Sequence, residues 1–143
     1  MIITQSYEEL LKKNRKLVFI DVRSPVEYKE AHIPGAVNVP VFSDRERETI
    51  GTLYKESGKK TAIKEALKII GPKVYHMYAE IEKYVEKDSE IVVYCARGGM
   101  RSSAIVSFFK EFSLPLVKLS KGYKGYRHYV NEKLPEVVGK SEF

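Results

Sequence analysis

The segment "YCARGGMRSS", positions 94–103, holds the only cysteine of the chain. Cys95 ends the apolar run "EIVVYC" and is followed at once by two glycines and two arginines. A lone cysteine is most often a small buried hydrophobe, but a core cysteine requires neither glycines nor arginines beside it. A glycine-rich turn between a strand and a helix points backbone N–H groups inward, and the helix N-terminus behind it adds positive potential. That field favours thiolate, the nucleophilic form of cysteine, and also holds a bound oxyanion. Cys95 is therefore the candidate nucleophile. Ala96, Arg97, Gly98, Gly99, Met100, Arg101 and Ser102 form the candidate anion-binding loop. Gly98 and Gly99 are assigned to positive φ or close backbone approach, and Ser102 to a helix N-cap that also donates to the anion.

Such a loop works only at the end of a strand that an α/β sheet positions. The segments "KLVFIDV" (16–22), "GAVNVP" (35–40), "EIVVYC" (90–95) and "PLVKLS" (115–120) read as strands. Before, between and after them lie "SYEELLKK" (6–13), with a Ser6/Glu9 capping box, "SPVEYKEAHI" (24–33), "RSSAIVSFFKEF" (101–112) and "GYKGYRHYVNEKL" (122–134), all read as helices. Positions 43–88 read as a helical insertion, broken near "KESGKK" and at Gly71-Pro72. Alternating strands and helices imply an α/β domain, a central parallel sheet flanked by helices, over 1–143. Ligands in such sheets bind beyond the carboxyl ends of the strands.

Composition sets the outer limits. The chain has 143 residues, 43% hydrophobic and 31% charged, with a formal net charge of +6. A single domain is expected. One cysteine forms no internal disulfide. With no signal-peptide pattern and no membrane-length apolar run, a cytoplasmic location away from membranes is expected. Histidine and cysteine spacing suggests no metal site. The positive charge suits an anionic partner such as nucleic acid, although solvated lysines on helix faces account for "KKNRK" equally well.

The segments "FIDVRSPVEYKEAHIPGAVNVP", "YCARGGMRS" and "LSKGYKGYR", spanning roughly 15–130, resemble the signatures of rhodanese-type sulfurtransferases. "CARGGMRS", "GYKGYR" and the middle stretch containing "GTLYK" are similar, more narrowly, to the rhodanese domain of tRNA 2-selenouridine synthases. That resemblance implies a rhodanese-like fold and a Cys95 that carries sulfur or selenium toward a wobble uridine of tRNA. It implies selenophosphate or a persulfide donor as substrate, with no permanently bound cofactor. His32 would orient the chain near the site. The synthase family also carries a P-loop domain, whereas the nearest string here, "LYKESGKKT", has Leu53 and Lys60 where glycine and Ser/Thr belong. A separate P-loop subunit or domain is thus implied as partner.

Arg101 stands six positions after Cys95, one more than in common rhodanese loops. The same C-x5-R spacing occurs in phosphatases and arsenate reductases, and a binding-only module is a further reading. Asp21 and Arg23 stand at the same sheet edge as Cys95, where Arg23 either shapes the anion pocket or pairs with Asp21 to order the loop. Tyr54 and Lys55 are candidates to line the cysteine pocket. Lys121, Tyr123, Lys124 and Arg127 mix charge with aromatic faces as an RNA-contact patch would, or they are an ordinary packed and solvated helix face.

Overall fold

The computed structural model describes residues 2–141, with side chains to residue 133. Five parallel strands form one sheet: β1 (Thr4–Gln5), β2 (Lys16–Asp21), β3 (Val37–Asn38), β4 (Ser89–Tyr94) and β5 (Leu116–Leu119), in the order β1-β5-β4-β2-β3. The two-residue β1 is too short to show a period of its own. It is held by pairing with β5, Thr4 opposite Lys118. From β2 the chain leaves toward β3, and from β4 it leaves toward β5. The carboxyl ends of these adjacent central strands are therefore the switch point where a ligand crevice opens.

Helices cover both faces. One face carries α1 (Tyr7–Leu11), α2 (Pro25–Glu30) and α7 (Gly122–Ser141). Leu10, Phe19, Val92, Tyr94, Leu119 and Tyr126 pack there. On the other face lie α3 (Asp44–Ser57), α4 (Lys59–Ile70), α5 (Val74–Glu82) and α6 (Met100–Lys110). Its core contains Ile20, Val93, Cys95, Ile81, Val106 and Phe109. Fully burying each such large side chain contributes about 1.5–3 kcal/mol before the entropic cost of ordering it.

Local signals explain most boundaries. Ser6 and Glu9 close a reciprocal capping box at α1, and Ser43 and Glu46 do the same for α3. The helical stretch 43–88 breaks at Gly58, whose φ of +87° suits glycine. It breaks again at Gly71–Lys73, a single 3-10 turn between α4 and α5. Among the described residues, no helix is long and apolar enough to cross a membrane.

Candidate active site

Side-chain alternation along the two central strands decides what faces Cys95. Residues 91, 93 and 95 share the sheet face covered by α3–α6, whereas Val92 and Tyr94 face α7. In the parallel register Phe19 pairs with Val92 and Asp21 with Tyr94, so Asp21 also belongs to the α7 side. Arg23 follows it there. Its guanidinium bonds the Asp21 carboxylate at 2.7 Å and the Ala31 carbonyl at 2.6 Å. It also lies over the Tyr123 ring, 4.4 Å from the centroid. Of the two readings of Arg23, the geometry supports the ordering ion pair; Arg23 is not part of the cavity beside Cys95. Next to it, His32 Nδ1 lies 2.7 Å from the Tyr28 carbonyl and the ring stacks on Tyr28.

Cys95 is 2% exposed, and its sulfur lies 3.1 Å from Ser102 Oγ. α6 begins at Met100 with Gly99 as N-cap, so Ser102 is not the cap its sequence position suggested. It stands one residue pair further in, where the first helical turn folds its hydroxyl back onto the thiol. Of the two glycines only Gly98 has a positive φ, +72°; Gly99 has φ −87°. Burial pushes the Cys95 thiol upward. The Ser102 hydroxyl and N–H, the Arg101 charge and the Gly99 N–H more than offset this, and the net shift is downward from the ordinary value. The site thus shifts Cys95 toward thiolate although the residue is buried.

Ser102→Ala tests that balance. A hydrogen bond to a charged group contributes about 1.5–3 kcal/mol, so the thiolate fraction at neutral pH should fall roughly ten- to hundredfold. The iodoacetamide alkylation rate, followed against pH, should move its inflection upward. An unchanged profile would remove Ser102 from the argument.

Arg101 is shared. Its two terminal nitrogens meet both oxygens of Glu27 at 2.7 and 3.3 Å, and Ser24 donates to the same carboxylate through N–H and hydroxyl at 3.0 and 2.9 Å. Burial raises the Glu27 pKa, but Arg101 and then Ser24 outweigh it and hold the carboxyl at about 2. Glu27 is the site residue that sequence reasoning passed over. The signal was present in "DVRSPVE", but a pair separated by 74 positions is invisible to local spacing. A carboxyl held below its unfolded value of 4.5 stabilises the fold above that pH. The contribution, about 1–2 kcal/mol after screening of this partly exposed pair, is lost as pH falls from 4.5 toward 2. Urea midpoints of the wild type should therefore drop across that window, while Glu27→Gln lacks this component; parallel curves would contradict the pairing.

Behind the loop, α7 closes against it. Tyr123 N–H donates to the Cys95 carbonyl at 2.8 Å and Lys124 N–H to the Ala96 carbonyl at 2.9 Å. Gly122, at φ +53°, allows this approach: a Cβ there would stand 2.3 Å from the Cys95 carbonyl oxygen. In front of the loop a cavity of about 830 Å³ opens, with Cys95, Ala96, Arg97, Gly99, Met100 and Arg101 along one side. The helical insertion forms its other side, including Tyr54 and Lys55. Arg97 and Met100 are exposed at its edge. Lys121, Tyr123, Lys124 and Arg127 lie outside it. Tyr123 packs within the α7 core between Tyr94 and Tyr126, while the other three are exposed.

Comparison with known proteins agrees with this geometry. The Rhodanese-like domain family matches residues 4–130. The curated tRNA 2-selenouridine synthase of Bdellovibrio bacteriovorus is 35% identical over 129 residues, covering 90% of this chain and 34% of that protein. The same-named protein of Hydrogenovibrio crunogenus is 34% identical over 132 residues, covering 92% and 36% respectively. The chain thus spans about a third of the length of these relatives. Among solved structures, the N-terminal domain of a Clostridium difficile 630 protein described as ATP/GTP binding superimposes with a TM-score of 0.83 at 38% identity. That match covers 91% of this chain and 98% of that one. A rhodanese-related protein of Thermoplasma volcanium shares the fold, with a TM-score of 0.54 at 20% identity. With the parallel sheet, the cysteine at the end of its central strand and a family match over most of its length, the chain belongs to the rhodanese-like domain family.

Proposed function

We propose that this chain is a sulfur- or selenium-transferring module for tRNA wobble-uridine modification, with Cys95 as the carrier, acting beside a P-loop partner. The observation that carries the reading is a buried thiol shifted toward thiolate that borders an open cavity. Support for the tRNA context comes from the relatives named tRNA 2-selenouridine synthase.

With thiosulfate as donor, the Cys95 thiolate attacks the outer sulfur. The sulfur–sulfur bond of thiosulfate breaks and sulfite leaves with the electron pair. Cys95 is left as a persulfide whose outer sulfur bears the charge. The selenium counterpart, a perselenide, forms by the same displacement on selenosulfate, from which sulfite leaves; selenophosphate carries selenide-level selenium and gives a perselenide only with a two-electron oxidant. Loop amides and Arg101 hold the charged outer atom, and Arg97 stands at the cavity edge.

The phosphatase reading fits less well. A phosphatase loop needs an acid to protonate its leaving group, and the carboxyl nearest Arg101, Glu27, stays ionised down to about pH 2. An arsenate reductase normally uses resolving thiols, and the chain has one cysteine.

Intact-protein mass spectrometry after incubation with selenosulfate, and separately with thiosulfate, tests the proposal. A selenium adduct on wild type supports the synthase-type role. A sulfur adduct alone would make this a general sulfurtransferase. No adduct with either donor would count against Cys95 as carrier.

A further inference from the structure

Arg47 stands apart from the other cations among the described residues. It lies on α3 and lines the cavity. Its Nε–H is shut off from solvent and, alone among the buried side-chain nitrogens and oxygens of the described residues, has no hydrogen-bond partner. No carboxylate pairs with it among those residues. Leaving such a donor unsatisfied costs about 1–3 kcal/mol, so the arrangement needs a reason.

Two neighbouring features supply one. The Arg47 guanidinium lies close to Gly51, one helical turn on: a Cβ there would stand 3.1 Å from Nη1, so the guanidinium would have to give by a few tenths of an ångström. The cavity is also strongly unbalanced in charge. It holds Arg47, Lys55, Lys59, Arg97 and Arg101 against one carboxylate, Glu27, and that carboxylate is already committed to Arg101. The wall beside Arg47 is otherwise apolar, with Val41, Phe42 and Ile50. Low local polarity strengthens an ion pair made there.

We infer that Arg47 is the centre of an anion subsite separate from the Cys95 loop, and that its ligand is a phosphate group of the molecule that enters the cavity. A planar guanidinium matches two phosphate oxygens at once. Lys55 and Lys59 line the same cavity and add positive charge suited to a phosphate, whether a phosphodiester monoanion or a terminal dianion. The phosphate is either a backbone phosphodiester of RNA or the terminal phosphate of a small molecule.

The test is a nitrogen–proton NMR titration of the intact chain. It follows the Arg47 Nε–H, whose shielding slows its exchange, together with the Gly51 amide. Inorganic phosphate and dimethyl phosphate are the two probes. Phosphate should shift both signals, Arg47→Met should weaken that response about tenfold, and Arg47→Lys should keep only part of it, retaining the charge without the two-point fit. A matching response to dimethyl phosphate assigns a phosphodiester. A response to inorganic phosphate alone assigns a terminal phosphate. Shifts confined to residues 96–102, or an Arg47→Met protein that binds like wild type, would overturn the subsite. Because loading of Cys95 is read separately by mass, an unloaded Cys95 with phosphate still bound at Arg47 would remove the proposed function and leave this site standing.

Discussion

Cys95→Ser should bring chalcogen loading to background while the protein stays folded. The sulfur is the only thiol in the chain, so no second group can take over its charge or its nucleophilicity. The fold should tolerate the change because serine has nearly the same shape and its hydroxyl meets a ready partner in Ser102, 3.1 Å from the present sulfur. A stability loss of no more than about 1 kcal/mol is expected, as for a small substitution with its polar group satisfied. Intact mass measured beside the melting curve separates loss of chemistry from loss of fold. Any adduct that survives the substitution would place the carrier elsewhere.

Gly122→Ala should be the most damaging substitution to the loop that never touches it by name. Two costs add. A non-glycine residue at φ +53° pays about 1 kcal/mol in backbone strain. The new Cβ would also stand 2.3 Å from the Cys95 oxygen and 2.7 Å from the Gly98 nitrogen, both backbone atoms that cannot swing away. Overpacking of this kind adds about 1–3 kcal/mol. The total, about 2–4 kcal/mol, should come with a distorted loop and a loss of Cys95 loading. Gly35→Ala is the control. It shares a positive φ, +81°, but its Cβ would meet nothing within 4 Å. Urea denaturation of both variants should show the Gly35 change costing only the strain; equal losses would mean that the close approach at Gly122 is unimportant.

How much of this was legible beforehand follows from the range of the interactions. Capping boxes act over three residues, so Ser6 and Glu9 were readable as a helix start. The cysteine loop was readable because its glycines, arginines and thiol are contiguous. The placing of Tyr54 and Lys55 on the cavity was also within reach, since the insertion had to pack somewhere near the switch point. Other features depend on pairing between distant segments. That Arg23 sits at the right edge but on the wrong face follows only from the Asp21–Tyr94 register. The Glu27–Arg101 pair and the contact of Gly122 with the Cys95 carbonyl both join residues far apart in the chain. Tyr123 looked available for stacking on a base, yet it is committed to Arg23 and its neighbouring rings.

The first N–H groups of a helix ordinarily have no partner within it. At α7, two of them, Tyr123 and Lys124, are taken by the carbonyls of Cys95 and Ala96. The start of the last helix and the reactive loop are therefore one cooperative unit: the loop cannot breathe without freeing those two amides. Their hydrogen-exchange rates become a built-in gauge of how often the reactive loop opens, readable without any label, ligand or turnover.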